Sequence, residues 1–240
     1  MSMPRRVEPE WLDELAPEDP RAIRSRRDMQ RVNWWMQQAG IMRHALTGCR
    51  GQRAPRTLLE LGAGDGSFML RLARRLAPRW KNVKVILLDR QNIVSNDTRE
   101  GFKALGWEAE TITGDAFDFL EQKKYQAIDV ITANLFLHHF EREKLAQLLL
   151  QAARITNWFV ACEPRRSTLA LAGSRLLWAI GCNAVSRHDA VVSVHAGFAG
   201  QELSTLWPEH TNWRLREQAA GLFTHCFVAQ RFGERREATI

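Results

Sequence analysis

Several things are scarce in these 240 residues. There are four cysteines, Cys49, Cys162, Cys182 and Cys226, with no C-x-x-C pair among them, so neither a disulfide framework nor a zinc ribbon is expected. Reduced thiols and a cytoplasmic setting are expected instead, and no metal. The single tyrosine, Tyr125, leaves no Tyr-x-x-x-Lys pair of the kind a nicotinamide-dependent dehydrogenase would use. No apolar core follows Arg5-Arg6, so no secretory leader is expected, and the most apolar stretch, Leu169 to Ile180, is too short to span a bilayer and contains Arg175. Acid is also scarce relative to base: the formal charge is +7. Residues 1–56 hold 11 Lys/Arg against 7 Asp/Glu, more than half of that surplus. The arginines are not interleaved with exposed-looking aromatics, so a solvated helix face is favoured over a nucleic-acid footprint.

The composition is otherwise that of a globular domain, 45% hydrophobic and 25% charged. Residues 4–20 carry Pro4, Pro9, Pro17 and Pro20 and read as an extended entry with one short turn around Trp11–Leu15. From Arg21 the apolar spacing Val32, Met36, Ala39, Met42, Leu46 predicts one amphipathic helix, with Arg24, Arg27 and Arg31 on another face. Strand and helix then alternate five times, with strands ending at Glu60, Asp89, Thr113, Ala133 and Cys162. That rhythm predicts a parallel sheet covered on both faces, with ligands at the edge the strand C-termini share. After Cys162 it breaks. An apolar helix over roughly Ser167–Gly181 leads into an irregular stretch to Gly200, a short helix Gln201–Leu206, and two strands too close together to pair except antiparallel.

The first strand runs into Glu60-Leu61-Gly62-Ala63-Gly64-Asp65-Gly66. Glycines at alternate positions let a backbone turn press against a ligand. The G-x-G-x-G spacing and the carboxylates Glu60 and Asp65 suit an ammonium-bearing nucleotide better than a diphosphate. This segment resembles motif I of the class I S-adenosylmethionine-dependent methyltransferases, and the alternating strands closed by an antiparallel pair resemble their sheet. The fold expected is α/β, a Rossmann-like doubly wound sheet of seven strands, mostly parallel with an antiparallel last strand. An N-terminal helical cap or lid is expected over 1–56, and the methyltransferase domain over 57–240 with a substrate-binding insertion at about 165–208.

The resemblance implies a cofactor set running along the strand ends. It comprises Glu60, Gly62, Ala63, Gly64 and Gly66; Asp89 for the ribose hydroxyls, with Arg90 beside the adenine; Gly114, Asp115 and Ala116 for the adenine; and Asn134 and Leu135 near the methionine amino group. It implies S-adenosylmethionine as donor and S-adenosylhomocysteine as product. Methyl transfer to an oxygen acid needs a base near neutral pKa, and histidine supplies one. The candidates are His138 and His139 after the fourth strand, and His188, Asp189 and His195 in Ser186–Phe198. For either histidine of the pair, packing or capping on the next helix is the alternative.

The insertion, with Ser25–Asn33, is similar to methyltransferases of bacterial polyketide or quinone-type pathways. That similarity implies a small, aromatic or polyketide-like acceptor and O-methylation in preference to C-methylation, by a monomer or homodimer. Trp34, Trp35 and Trp178 would then line a pocket or lid, unless they are core. Two alternatives stay open: an rRNA or tRNA methyltransferase, and a non-catalytic partner protein on the same fold. Thr132-Ala-Asn134-Leu lacks the Asn/Asp-Pro-Pro-aromatic segment of amino-directed nucleic-acid enzymes, so nucleic acid is not the expected partner.

Overall fold

In the computed structural model, residues 3–48, 54–122, 127–208 and 210–232 are described; Cys49 and Tyr125 lie outside them. The first five strands are β1 (Thr57–Leu61), β2 (Lys84–Asp89), β3 (Glu108–Thr113), β4 (Ile128–Asn134) and β5 (Thr156–Pro164), followed by β6 (Trp213–Ala220) and β7 (Thr224–Arg231). They form one sheet in the order β3-β2-β1-β4-β5-β7-β6. β1 to β5 pair parallel, and β7 alone runs against its neighbours β5 and β6. The order reverses between β1 and β4, which opens a crevice at their C-terminal ends.

Side chains alternate across the strands, so one sheet feeds two cores. Leu58, Val85, Leu87, Val130 and Val160 face one layer, with Leu72 and Leu76 of α4 (Ser67–Leu76) and Phe102 of α5 (Asn96–Ala104). Leu59, Leu61, Ile86, Leu88, Ile131 and Phe159 face the other, with Phe119 of α6 (Ala116–Leu120) and Leu145, Leu148 and Leu149 of α7 (Arg142–Ile155). No helix among the described residues is long and apolar enough to cross a membrane.

Two readings of the flanking regions are corrected. The short turn expected around Trp11–Leu15 is α1 (Trp11–Glu14), and the single helix expected from Arg21 is two, α2 (Pro20–Trp35) and α3 (Gln38–Thr47), divided at Gln37, whose φ of 53° breaks the helix. The apolar spacing spanned that break because α3 alone supplies the core-facing residues Ala39, Met42, Ala45 and Leu46, which pack beneath the sheet with α4. The inward face of α2 is polar instead, with Ser25, Asp28 and Asn33 buried.

The second correction concerns the stretch read as irregular. After α8 (Thr168–Arg175) and a 3-10 turn at Leu177–Ile180, residues Ala184–Ala196 form a helix, α9, capped by Asn183, whose side chain accepts from the Ser186 amide. Its apolar residues are valines and alanines with polar groups between them, so the helical period was masked. α2 lies on α9 through hydrogen bonds rather than an apolar stripe. Asp28 Oδ2 accepts from Asn183 N at 2.8 Å, and the Ser25 and Ser186 hydroxyls meet at 2.9 Å. Trp34, Trp35 and Trp178 belong to neither pocket nor core: they are 62%, 68% and 62% exposed. The short helix expected at Gln201–Leu206 is α10 (Glu202–Leu206).

Candidate functional site

A cavity of about 670 Å³ opens at the C-terminal ends of β1, β2, β3 and β4. Its floor is the turn after β1. Gly62 has φ 68°, and a Cβ there would stand 2.3 Å from the Phe136 ring. Gly64, φ 55°, has open space where its Cβ would be, so the backbone here faces the cavity bare. Asp89, the last residue of β2, ties the turn down: its Oδ2 accepts from Gly64 N at 2.7 Å and its Oδ1 from Gln91 N at 2.8 Å. Asp65 is held from above, Oδ2 accepting from the Gln30 side chain of α2 at 2.6 Å.

Asp115 caps α6 through Phe117 N at 2.8 Å and is gripped by the Arg90 guanidinium at 2.5 Å. Burial alone would raise its pKa, but the hydrogen bonds from Arg90 and Phe117 N hold the carboxyl below its ordinary range. Glu60 is the opposite case. It is 1% exposed, and burial, reinforced by the nearby Asp65 and Asp89, pushes its carboxyl well above the usual range.

Three side chains present oxygens without a hydrogen-bond partner in this cavity: Glu60 Oε2, Asn134 Oδ1 and Asn33 Oδ1. Buried acceptors left open are costly, so three of them in the lining of one chamber make a place for a donor-rich cation such as an ammonium. The bare glycine turn and the Asp89 carboxylate at the next strand end line the same chamber. Of the predicted cofactor residues, Glu60, Gly62, Ala63, Gly64, Asp89, Arg90, Gly114, Asp115, Ala116, Asn134 and Leu135 all line the cavity. Gly66 does not: it is the αL residue preceding α4, with Leu87 and Thr98 against its back.

The predicted histidines separate into two groups. His138 and His139 line the cavity. His138 is buried between two carboxylates, Nδ1 to Glu163 Oε2 at 2.8 Å and Nε2 to Glu10 Oε1 at 3.2 Å. Burial alone would lower its pKa, but the hydrogen bonds with Glu10 and Glu163 carry it to about 9. His139 gives Nδ1–H to the Phe136 carbonyl at 3.0 Å, which turns Nε2 toward Glu10 Oε2 at 3.5 Å and Asp13 Oδ2 at 3.8 Å.

His188, Asp189 and His195 do not line the cavity; they fasten the N-terminal segment to α9. The Asp189 carboxylate accepts from Trp11 N at 2.9 Å and Leu12 N at 3.0 Å, satisfying free amides at the start of α1. His188 bonds Asp189 at 2.9 Å and stacks on Trp11 with centroids 3.8 Å apart. His195 lends only its carbonyl, to Arg6 N at 3.1 Å. Arg5 adds bonds to the carbonyls of Ala196 at 2.8 Å and Phe140 at 2.9 Å. So fixed, residues 7–10, 12 and 13 line the cavity.

Sequence reasoning missed Glu10, Asp13, Asn33 and Glu163. Glu163 had a signal, since it ends the fifth strand at the same edge as the other acids; its Oε1 accepts from Phe136 N at 3.1 Å and Leu137 N at 2.9 Å. Glu10 had none: its partners His138 and Ser193 are 128 and 183 residues away in the chain.

Residues 58–157 match a family model described as a methyltransferase domain. No curated protein matches the chain in sequence. Among solved structures, the plantazolicin methyltransferase BpumL in complex with SAH superposes with a TM-score of 0.65 at 14% identity, over 90% of this chain and 92% of that one. An O-methyltransferase family protein from Burkholderia thailandensis superposes at 0.59 and 18% identity, over 89% of this chain and 60% of its own. The mitomycin 7-O-methyltransferase MmcR gives 0.59 and 18%, over 92% of this chain and 60% of that one.

Proposed function

Because residues 58–157 are a methyltransferase domain in a chain with the class I methyltransferase fold, we infer that the protein transfers a methyl group from S-adenosylmethionine to a small acceptor bearing an ionisable oxygen. The observation that carries this reading is the group of unpaired oxygens on Glu60, Asn134 and Asn33 beside the glycine turn. They offer acceptors to the methionine ammonium, Asp89 to the ribose, and the segment from Gly114 to Ala116 to the adenine. The donor supplies an electrophilic methyl on a sulfonium, with a neutral thioether as leaving group.

The acceptor side is bounded by Glu10, Asp13, His138, His139, Phe136 and Phe140. Its aromatic walls and limited volume suit a phenolic or polyketide-like molecule, as do the small-molecule methyltransferases among the structural neighbours. The cap of residues 1–56 and the insertion at about 165–208 would close this side together, excluding water. His139 is the histidine placed to deal with the acceptor proton, because its Nδ1 is committed to Phe136 and its Nε2 faces the cavity rim. His139→Ala should therefore lower turnover by about 10²–10⁴-fold with S-adenosylhomocysteine affinity unchanged, and His188→Ala should lower it much less.

Calorimetry with S-adenosylmethionine and S-adenosylhomocysteine, followed by labelled methyl transfer to a panel of phenols and enols, tests the reading. Absence of binding by either nucleoside would sink it. The Glu60 environment adds a second test. Its carboxyl is raised well above the usual range, so it keeps its proton to higher pH than an exposed glutamate does, and an arriving ammonium favours the ionised form. Binding should release up to one proton per site, seen as a dependence of the heat on buffer ionisation enthalpy, and affinity should rise with pH until Glu60 is ionised in the free protein. Glu60→Gln should abolish the release; an unchanged release would contradict the assignment.

A further inference from the structure

The acceptor wall of the cavity has a feature that simple methyl transfer does not require. His138 Nε2, His139 Nε2 and a carboxylate oxygen of Glu10 lie within 4.8 Å of one another, with Asp13 at their edge. These atoms come from two places far apart in sequence, the segment 10–13 and the turn after β4. We propose that Glu10, His138 and His139, completed by Asp13, bind one divalent transition-metal ion of the zinc class, and that this ion holds the acceptor oxygen opposite the methyl donor. The proposal rests on the methyltransferase reading and refines the part of His139 from taking the proton itself to holding the ion.

Three observations carry it. The first is spacing. Ligands about 2.0–2.2 Å from one tetrahedral ion stand roughly 3.3–3.6 Å apart. Here His138 Nε2 to Glu10 Oε1 is 3.2 Å, His139 Nε2 to the other Glu10 oxygen, Oε2, is 3.5 Å, and His139 Nε2 to Asp13 Oδ2 is 3.8 Å, so the Glu10 carboxylate reaches both imidazoles. The second is the shell behind the donors. Metal-binding histidines hand their other ring nitrogen to a carboxylate or a backbone carbonyl. His138 Nδ1 meets Glu163 at 2.8 Å, and His139 Nδ1 meets the Phe136 carbonyl at 3.0 Å. Both Nε2 atoms are thereby turned toward the same point.

The third is charge. Glu10 and Glu163 are 5% and 0% exposed, and Asp13 is close by, so three carboxylates surround the imidazoles. A divalent cation balances them more fully than the single charge of a protonated His138, and two nitrogens with carboxylate oxygens favour zinc-like ions over magnesium.

An acceptor oxygen joining the ion as a fifth ligand would ionise more readily, its proton leaving to solvent. The oxygen lone pair then forms the O–CH3 bond while the S–CH3 bond breaks with its electron pair going to sulfur. Acceptors with an ionisable oxygen, such as phenols and enols, fit this arrangement; amines and carbon nucleophiles do not.

The test uses full-length protein stripped with chelator and dialysed, then titrated with ZnCl2 by calorimetry and with Co2+ by visible absorption. The expected result is one tight equivalent of Zn2+ and a Co2+ ligand-field band, with affinity reduced at least 100-fold in Glu10→Gln and His139→Ala and unaffected by excess Mg2+. S-adenosylhomocysteine binding, measured on the same samples, should persist in every variant and shows whether the donor site itself is sound. Wild-type protein that takes up no Zn2+, or variants that bind it as wild type does, would overturn the proposal. Asp13→Asn, at the rim, guards against loss of folding in the other two and should weaken Zn2+ at least 10-fold; unchanged binding would remove Asp13 from the site.

Discussion

Asp89→Ala should weaken S-adenosylhomocysteine binding by about 10²–10³-fold while leaving the protein folded. The carboxylate does two jobs from one position. Its Oδ2 fixes the Gly64 amide at 2.7 Å, which sets the path of the turn on which the ligand lies, and its place at the end of β2 faces the cavity where two hydroxyls of a ribose would lie. Hydrogen bonds to a charged group contribute about 1.5–3 kcal/mol each, so losing the ribose contacts and loosening the turn together cost about 3–4 kcal/mol, and each 1.4 kcal/mol is tenfold. The side chain is only half-buried, so truncation leaves no large void. Calorimetry and a melting curve on the same sample separate the two effects. Wild-type affinity in a folded variant would show that the ribose lies elsewhere.

The largest effect on stability is expected from Glu163→Ala. Glu163 is fully buried and accepts from Phe136 N, Leu137 N and the His138 ring, the last at 2.8 Å. Removing it strands the amides of Phe136, Leu137 and His138 and takes away the partner of His138 Nδ1, leaving the ring held by Glu10 at Nε2. Breaking a buried charge pair on one side costs about 3–5 kcal/mol. For a chain of this size, 1 kcal/mol moves the midpoint by roughly 2–4 °C, so thermal unfolding should come about 10 °C earlier. Glu163→Gln, which keeps the shape and one acceptor oxygen, should fall between. A shift within the error of the melt for Glu163→Ala would mean that this network is not what holds the turn after β4. The same turn carries Leu135 at φ 53°, a strained residue that needs support from its surroundings.

The parallel core was legible in the sequence because its signals are local. β1, β2, β4 and β5 are short apolar runs ended by a turn or a carboxylate, β3 is a polar strand at the sheet edge, and α4 and α7 show their period within one window. The closing hairpin was legible for the same reason, as two strands so few residues apart can only pair antiparallel. The glycine turn and Asp89, Asp115 and Asn134 could be placed without coordinates: once strands and helices alternate, right-handed crossovers bring every strand C-terminus to one edge. The residues proposed to hold the methyl donor could therefore be named from sequence order, and all of them but Gly66 line one chamber.

The side of the cavity proposed for the acceptor is assembled only by the tertiary structure. A histidine next to an aspartate in Ser186–Phe198 looked like chemistry, but the helical twist of α9 sends Asp189 to the α1 amides and His188 against Trp11. The tryptophans of α2 suit a core or a pocket by type and instead face solvent, because that helix docks through Ser25 and Asp28. Conversely, Glu10 and Asp13, in a proline-rich stretch with no period of their own, arrive beside His138 and His139 through contacts spanning more than a hundred residues. Motifs reveal what neighbours in sequence can do together. A donor set shared between a chain terminus and a loop exists only once packing has brought the two to the same place, and that packing is nonlocal.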